Sequence, residues 1–434
     1  MSDLAINTEV QPFPGIRYDA TRAGALASLL CPPYDIIDDQ ERLELYARSP
    51  YNMVRLEHPL ELSGESSADS SRYAAASITF GQWMETGILR RENEPCFYVH
   101  DHEFQFRGHR HVRRGLVARV RLREWYDGVY PHELTGRKAK QDRLELMRMC
   151  HASFSGPLGL YEDKNGVIAE GLRAGTAEAP LADVADGEDH HTFWRICAPE
   201  LVARIQTAFA DCSIYIADGH HRYETGLVYQ SERRAAEKDS AGPAPYDYIL
   251  MTLTAFDDAG LFISPVYRVL TGMGLPDAEE IETRLKEYFT VDYVPTESAL
   301  AGNDGVGEMA LMAVVGLREG MVAELRKKPG VLLGAEVPGE HSKEYRTFNV
   351  SILDHVVMAK VLGVDPGNEG VSYSPDIDEV VRRVQDGEAQ LAFLLAPAHT
   401  LLVKKIADQN ERMPRKSTYF YPKPPCGLVS NPLD

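Results

Sequence analysis

The residues with the densest chemistry are Asp218, Gly219, His220, His221 and Arg222, in one unbroken run. Two imidazoles can give or take protons near neutral pH. The Arg222 guanidinium is a planar fork that fits phosphate or carboxylate. Gly219 permits a backbone conformation, or a close approach, that a Cβ would hinder. The residues before this run, Ser213 to Ala217, are β-rich, and Leu227, Val228 and Tyr229 behind it continue a helical pattern. The spacing predicts a strand, a tight turn and a helix N-terminus, where exposed N–H groups and the helix dipole favour an anion. A site for a phosphate or carboxylate follows, with Asp218, Gly219 and Arg222 around the anion and His220 and His221 as proton carriers. The plainer alternative is a structural turn whose cations satisfy buried carboxylates.

Other segments offer further groups. His132-Glu133 pairs a base with a carboxylate, and Glu224 lies one turn into the predicted helix. Arg143 precedes the amphipathic run Leu144, Leu146 and Met147, with Lys138, Lys140 and Asp142 before it. The C-terminal stretch from Arg412 to Lys423 is basic and aromatic, so Lys416, Ser417 and Lys423 are expected to reach an anion while Tyr419, Phe420 and Tyr421 find burial. A plain packed C-terminal strand is the competing reading. His132-Glu133 lacks the spacing of a zinc protease, and no phosphate loop of the GxxxxGK[ST] type or GxSxG elbow occurs. Which metal, if any, is bound stays open.

These residues need a scaffold, and 434 residues exceed one core, so two or three domains are expected. Hydrophobic content of 44% and charged content of 26% are those of an ordinary globular protein. A net charge of −19 makes nucleic acid an unlikely partner, because phosphate neutralisation drives that binding. The arginines at 107, 110, 113, 114, 119, 121 and 123 then read as a solvated sheet face. The six cysteines form no CxxC pair, so no zinc ribbon is indicated, and disulfides are not expected in a reducing cytosol. No signal peptide or membrane span is apparent, and a cytoplasmic enzyme is the expected class.

Along the chain, Met53 to Leu56 reads as a short strand. Residues 67–86 read as a helix capped by Ser66 or Ser67. Strands are expected at 97–99, 103–106, 115–122, 248–253 and 261–263, with a turn at Arg107-Gly108. Residues 170–190 read as an exposed loop. Helices are expected at 199–211, 276–289, 351–362 and 376–384, a hairpin around Arg318-Glu319-Gly320, and a buried strand at 391–395. The mixture indicates an α+β protein, with one domain over 1–270 and a second α+β domain over 271–434 whose tail docks on the first.

Several segments together resemble the bacterial and archaeal family known as domain of unknown function 1015. They are Pro32-Pro33-Tyr34-Asp35, Asn52 to Leu56, His132-Glu133 with Arg143, Ala217 to Thr225, Pro265 to Arg268, and Met413 to Leu428. Tyr267 departs from the pattern, standing where a histidine is expected. Asn52, Arg55 and His132 become expected substrate contacts through this resemblance. The run Asp218 to Arg222 also resembles the phosphate-binding motif of the ParB/sulfiredoxin-like superfamily, whose members include free-serine kinases and hold nucleotide phosphates at a helix N-terminus. Genes of the family often lie near serine-biosynthesis genes, which points to serine or phosphoserine.

The combined expectation is a kinase, phosphatase or phosphotransferase acting on a small hydroxylated metabolite. His220, His221, Glu133 and Glu224 would be catalytic, and Arg143, Lys416, Ser417 and Lys423 would join the anion site. The cofactors it implies are Mg²⁺ and a nucleotide, ATP or ADP. Two other classes fit the same residues: a nucleotide-binding regulatory protein in the manner of ParB, and a scaffold protein. The substrate is expected to be a phosphorylated or carboxylate metabolite. Oligomeric state is not legible.

Overall fold

The computed structural model describes residues 8–61, 68–134, 137–237, 242–301, 305–307 and 309–434. The expected cap at Ser66 or Ser67, Thr135 and the Lys138 side chain lie outside the described residues. The chain divides into two compact units. The first comprises residues 1–131, 135–261 and 422–434; the second comprises 132–134 and 262–421. Both are built from strands and helices, and the protein is α+β.

The first unit is organised by a nine-stranded mixed sheet among the described residues. Its strands are β1 (Val10–Gln11), β2 (Phe97–Phe106), β3 (His109–Arg121), β4 (Val129–Tyr130), β5 (Leu158–Tyr161), β6 (Ala182–Asp186), β7 (Asp189–Ile196), β8 (Ile214–Asp218) and β9 (Tyr248–Ala255). The order is β4-β8-β5-β9-β3-β2-β7-β6, with β1 paired to β3. The β4–β8 and β5–β9 pairs are parallel and the rest antiparallel. The expected strand pieces at 97–99 and 103–106 are one continuous strand, β2. It turns into β3 at Arg107-Gly108, where both residues have positive φ.

Seven helices of this unit matter below: α1 (Asp39–Arg48), α2 (Val54–Glu57), α3 (Ala68–Glu85), α4 (Arg137–Cys150), α5 (Val167–Gly175), α6 (Pro199–Phe209) and α7 (His220–Ala236). Ile205 and Phe209 of α6 are buried against Ile214, Ile216 and Leu253 of the sheet. Each such fully buried side chain contributes about 1.5–3 kcal/mol. This packing anchors β8, the strand that delivers Asp218.

Three expectations are corrected here. Met53 to Leu56 is not a strand, because α2 occupies it. The Asn52 side chain accepts from Val54 N–H at 3.0 Å and donates to the Ser28 and Leu30 carbonyls at 2.9 Å, and this bonding, near and distant in sequence, overrides the β propensity of Val54. Residues 170–190 are not a loop. They hold the end of α5 and the β6–β7 hairpin, whose turn uses Gly187 at φ 64°. Edge strand β6 exposes alternate residues, so its Ala and Asp content hides its pairing. Cys96 and Cys197 form a disulfide although 101 residues separate them, because β2 and β7 pair at Phe97 and Ile196 and bring the adjacent cysteines together.

The arginine-rich strand is paired with carboxylates more than it is open to solvent. Arg114 meets Asp101 at 2.6 Å, Arg121 meets Glu9 at 3.0 Å, and Arg110 meets Glu103.

Among the described residues, the second unit contains a six-stranded antiparallel sheet. Its strands are β10 (Tyr267–Leu270), β11 (Phe289–Pro295), β12 (Met312–Arg318), β13 (Met321–Lys327), β14 (Val371–Ser374) and β15 (Leu391–Leu395), in the order β11-β13-β12-β15-β10-β14. The β12–β13 hairpin turns at Glu319-Gly320, as the turn residues predict. No described helix of the chain is long and apolar enough to cross a membrane.

Candidate functional site

The Asp218 segment folds as its residues dictate. Strand β8 is buried along Ile214 to Ala217 and ends at Asp218. Gly219 then adopts φ 82° and ψ 30°, and the 17-residue helix α7 starts at His220. A Cβ on Gly219 would sit 2.8 Å from Arg222 Nε and 3.0 Å from Pro157 Cα, so only glycine fits. The glycine lets Arg222 fold back across its own helix start. Arg222 Nη2 donates to Asp218 Oδ2 at 2.7 Å, and Nη1 donates to the Gly156 carbonyl at 2.7 Å.

Lys423 completes the cluster. Its Nζ donates to Asp218 Oδ1 and, at 3.0 Å, to Asp35 Oδ2, with its side chain only 7% exposed. Burial alone would raise the Asp218 carboxyl, but Lys423 and Arg222 outweigh it and hold it well below the usual carboxylate range. Burial would lower both cations, yet Asp218 and Asp35 keep Arg222 and Lys423 above their ordinary values. All three groups are therefore held charged inside the protein, an arrangement that needs this mutual pairing.

A second ring of charge adjoins the first. Arg143 donates to Asp142 at 2.7 Å and to the Glu57 carbonyl at 2.8 Å, and its guanidinium lies 3.9 Å above the Tyr34 ring. Burial pushes the Tyr34 hydroxyl up to about 12, partly opposed by Arg143. The Glu57 carboxylate is fully buried. It accepts from Ser155 Oγ at 2.7 Å through Oε1, and its Oε2 has no hydrogen-bond partner among the described residues. Burial raises its pKa against the pull of Arg143 and Ser155. A cavity of about 30 Å³ lies among Glu57, Arg143, Ser155 and Arg222, room for a single water.

The remaining residues expected from sequence fall as follows. His220 is buried, its ring 6.4 Å from that of Trp125, which stacks on Tyr223 at 4.4 Å. His221 is half-buried, and its carbonyl accepts from Thr225 Oγ1 at 2.8 Å. Glu224 pairs with Lys140 at 2.9 Å. Asn52 is bonded to Val54 N–H and to the Ser28 and Leu30 carbonyls as described, and Arg55 donates to the Tyr46 carbonyl at 2.8 Å. In the second unit, His132 Nε2 lies 2.8 Å from Thr418 Oγ1, and Glu133 Oε1 accepts from Ser417 N–H at 2.9 Å. Lys416 is exposed there, with φ 56°.

The first unit thus gathers Asp218, Gly219, His220, Arg222, Arg143 and Lys423, and His132, Glu133 and Ser417 form a separate polar cluster in the second. Sequence reasoning missed Glu57 and the Gly156 carbonyl. Glu57 carried one signal, its place directly after the block from Asn52 to Leu56. The carbonyl carried none.

A family model for a protein of unknown function (DUF1015) matches residues 10–354. The chain belongs to that family. No curated protein matches it. Among solved structures, a conserved hypothetical protein from Pyrococcus furiosus is 14% identical and covers 70% of this chain and 90% of its own, with a TM-score of 0.32. A free serine kinase in complex with AMP is 14% identical over 70% of this chain and 86% of its own, with a TM-score of 0.34. SbnI from Staphylococcus aureus, truncated at its C-terminus, is 10% identical over 73% of this chain and 87% of its own, with a TM-score of 0.35. At these TM-scores none of them carries an argument about this chain's reaction.

Proposed function

We propose that this protein transfers or removes a phosphoryl group on a small hydroxylated metabolite, with serine or phosphoserine the first candidate. The observation that carries the reading is the start of α7 behind a left-handed glycine, flanked by Arg222 and Lys423, with Arg143 lining the same small cavity as Arg222. The first turn of any helix has N–H groups without intrahelical acceptors, and the dipole adds positive potential there. The anion takes those N–H groups. Asp218 holds the two nearest cations in place, so their charge is set before the ligand arrives. His220 or His221 takes the proton of the attacking hydroxyl or accepts the phosphoryl group itself. The donor is a nucleotide with Mg²⁺, for which Glu224 is the nearest candidate carboxylate on α7.

The test is a thermal-shift series on the full chain with ATP, ADP, serine, phosphoserine and inorganic phosphate, with and without Mg²⁺, followed by phosphorus NMR of turnover. Stabilisation by a nucleotide or phosphoserine is expected, since a ligand of the native state raises its stability with occupancy. That shift should vanish in Arg222→Ala. If no phosphate compound stabilises the wild type, the reading is wrong. If one binds but nothing turns over, the protein is a binding module.

A further inference from the structure

Three histidines and a carboxylate meet on the sheet of the first unit. His100 and His102 are two residues apart on β2 and so share a face. On β7, His191 pairs in register with His102, and Asp189 lies two residues before His191 on the same face. His102 Nε2 is 2.8 Å from Asp189 Oδ2, and His191 Nδ1 is 3.1 Å from His100 Nε2. The His102 and His191 rings are 4.4 Å apart. One ligand atom from each of His102, Asp189 and His191 lies within 4.8 Å of the other two. Ligands 2.0–2.1 Å from a shared ion sit roughly 2.9–3.4 Å apart, so small side-chain adjustments close the set.

The three histidines are buried, which is costly for imidazoles that serve only to pack. His102 Nδ1 has no hydrogen-bond partner among the described residues. The Asp189 side chain is 35% exposed and gives an ion its way in.

We propose that His102, His191 and Asp189 bind one divalent first-row transition ion of the zinc or iron(II) class. Two histidines and one carboxylate leave open coordination positions, the pattern of a reactive rather than a closed structural site. His100 holds Nδ1 of His191 and so turns Nε2 towards the ion, an orienting contact typical of metal sites. Arg113 pairs with His102 across the β2–β3 ladder and is buried, with Nη1 lacking a partner among the described residues. Its charge opposes a bare dication and suits one whose open position carries an anion. This site is independent of the phosphate reading of the Asp218 turn.

The experiment strips the full-length protein with a chelator, adds back Co²⁺ and Zn²⁺, and reads metal content and the visible Co²⁺ spectrum. One ion per chain is expected, with Zn²⁺ displacing Co²⁺. His191→Ala and Asp189→Asn should each weaken binding tenfold or more. His190→Ala should leave it unchanged, because His190 faces the other way and meets Asp183 at 2.7 Å. Circular dichroism checks each fold. Should His191→Ala fail to fold, Asp189→Asn, at the rim of the hairpin, decides alone. No Co²⁺ bound by the stripped wild type, or equal binding by Asp189→Asn, overturns the proposal.

Discussion

Replacing Lys423 with methionine keeps most of the stem's packing and removes its charge. The structure sets the size of the effect. The ammonium is 7% exposed and is shared by Asp218 and Asp35. Breaking a buried ion pair costs about 3–5 kcal/mol. Arg222 remains on Asp218 at 2.7 Å, so the low end, about 3 kcal/mol, is expected. For a unit of this size that is a fall of ~6–12 °C in Tm. The pH dependence has a definite sign. The folded Asp218 carboxyl lies below its ordinary 3.8, so its contribution is present above pH 3.8 and is lost as pH falls towards the folded value. The folded Lys423 ammonium lies above its ordinary 10.5, so its contribution is present below pH 10.5 and is lost as pH rises past the folded value. The stability gap between wild type and Lys423→Met should be flat between those limits and should narrow in acid. Urea denaturation followed by circular dichroism measures it, with Asp218→Asn and the double variant completing a cycle. A gap under about 0.5 kcal/mol, or single variants that simply add, would refute the buried counter-ion.

Gly219→Ala forces a Cβ into a left-handed residue against Arg222 and Pro157, and should cost about 1–2 kcal/mol and abolish the phosphate-dependent thermal shift. A variant that kept the full shift would show that Arg222 need not fold back. In the second unit, burial raises Asp354 to about 6 against the pull of Arg268. Its ionised form is therefore a burden above pH 6 that is relieved as pH falls through that value. Relative to Asp354→Asn, the wild type should gain stability between pH 7 and pH 5 in parallel urea melts; parallel curves would show that the carboxyl is not strained there.

The strand, turn and helix around Asp218 were legible because their determinants are local. A β-rich run, a glycine and an amphipathic continuation set the backbone, and the side chains at fixed offsets follow. The β12–β13 hairpin and β15 were legible for the same reason. Met53 to Leu56 misled because the deciding interactions of Asn52 reach back to Ser28 and Leu30. The β6–β7 hairpin misled because an edge strand needs little apolar content. His100 and His102 offered only a two-residue spacing, and nothing local pointed to His191 across the ladder.

By itself the sequence determined the α+β class, the acidic charge, and the strand, turn and helix start at Asp218 to Arg222, because composition, periodicity and turn chemistry act over a few residues. Only the tertiary structure decided which charges share a site. Lys423 lies 205 residues from Asp218, Glu57 lies 86 from Arg143, and Cys96 lies 101 from Cys197. Such pairings depend on strand order and register, which the packing of the whole chain sets.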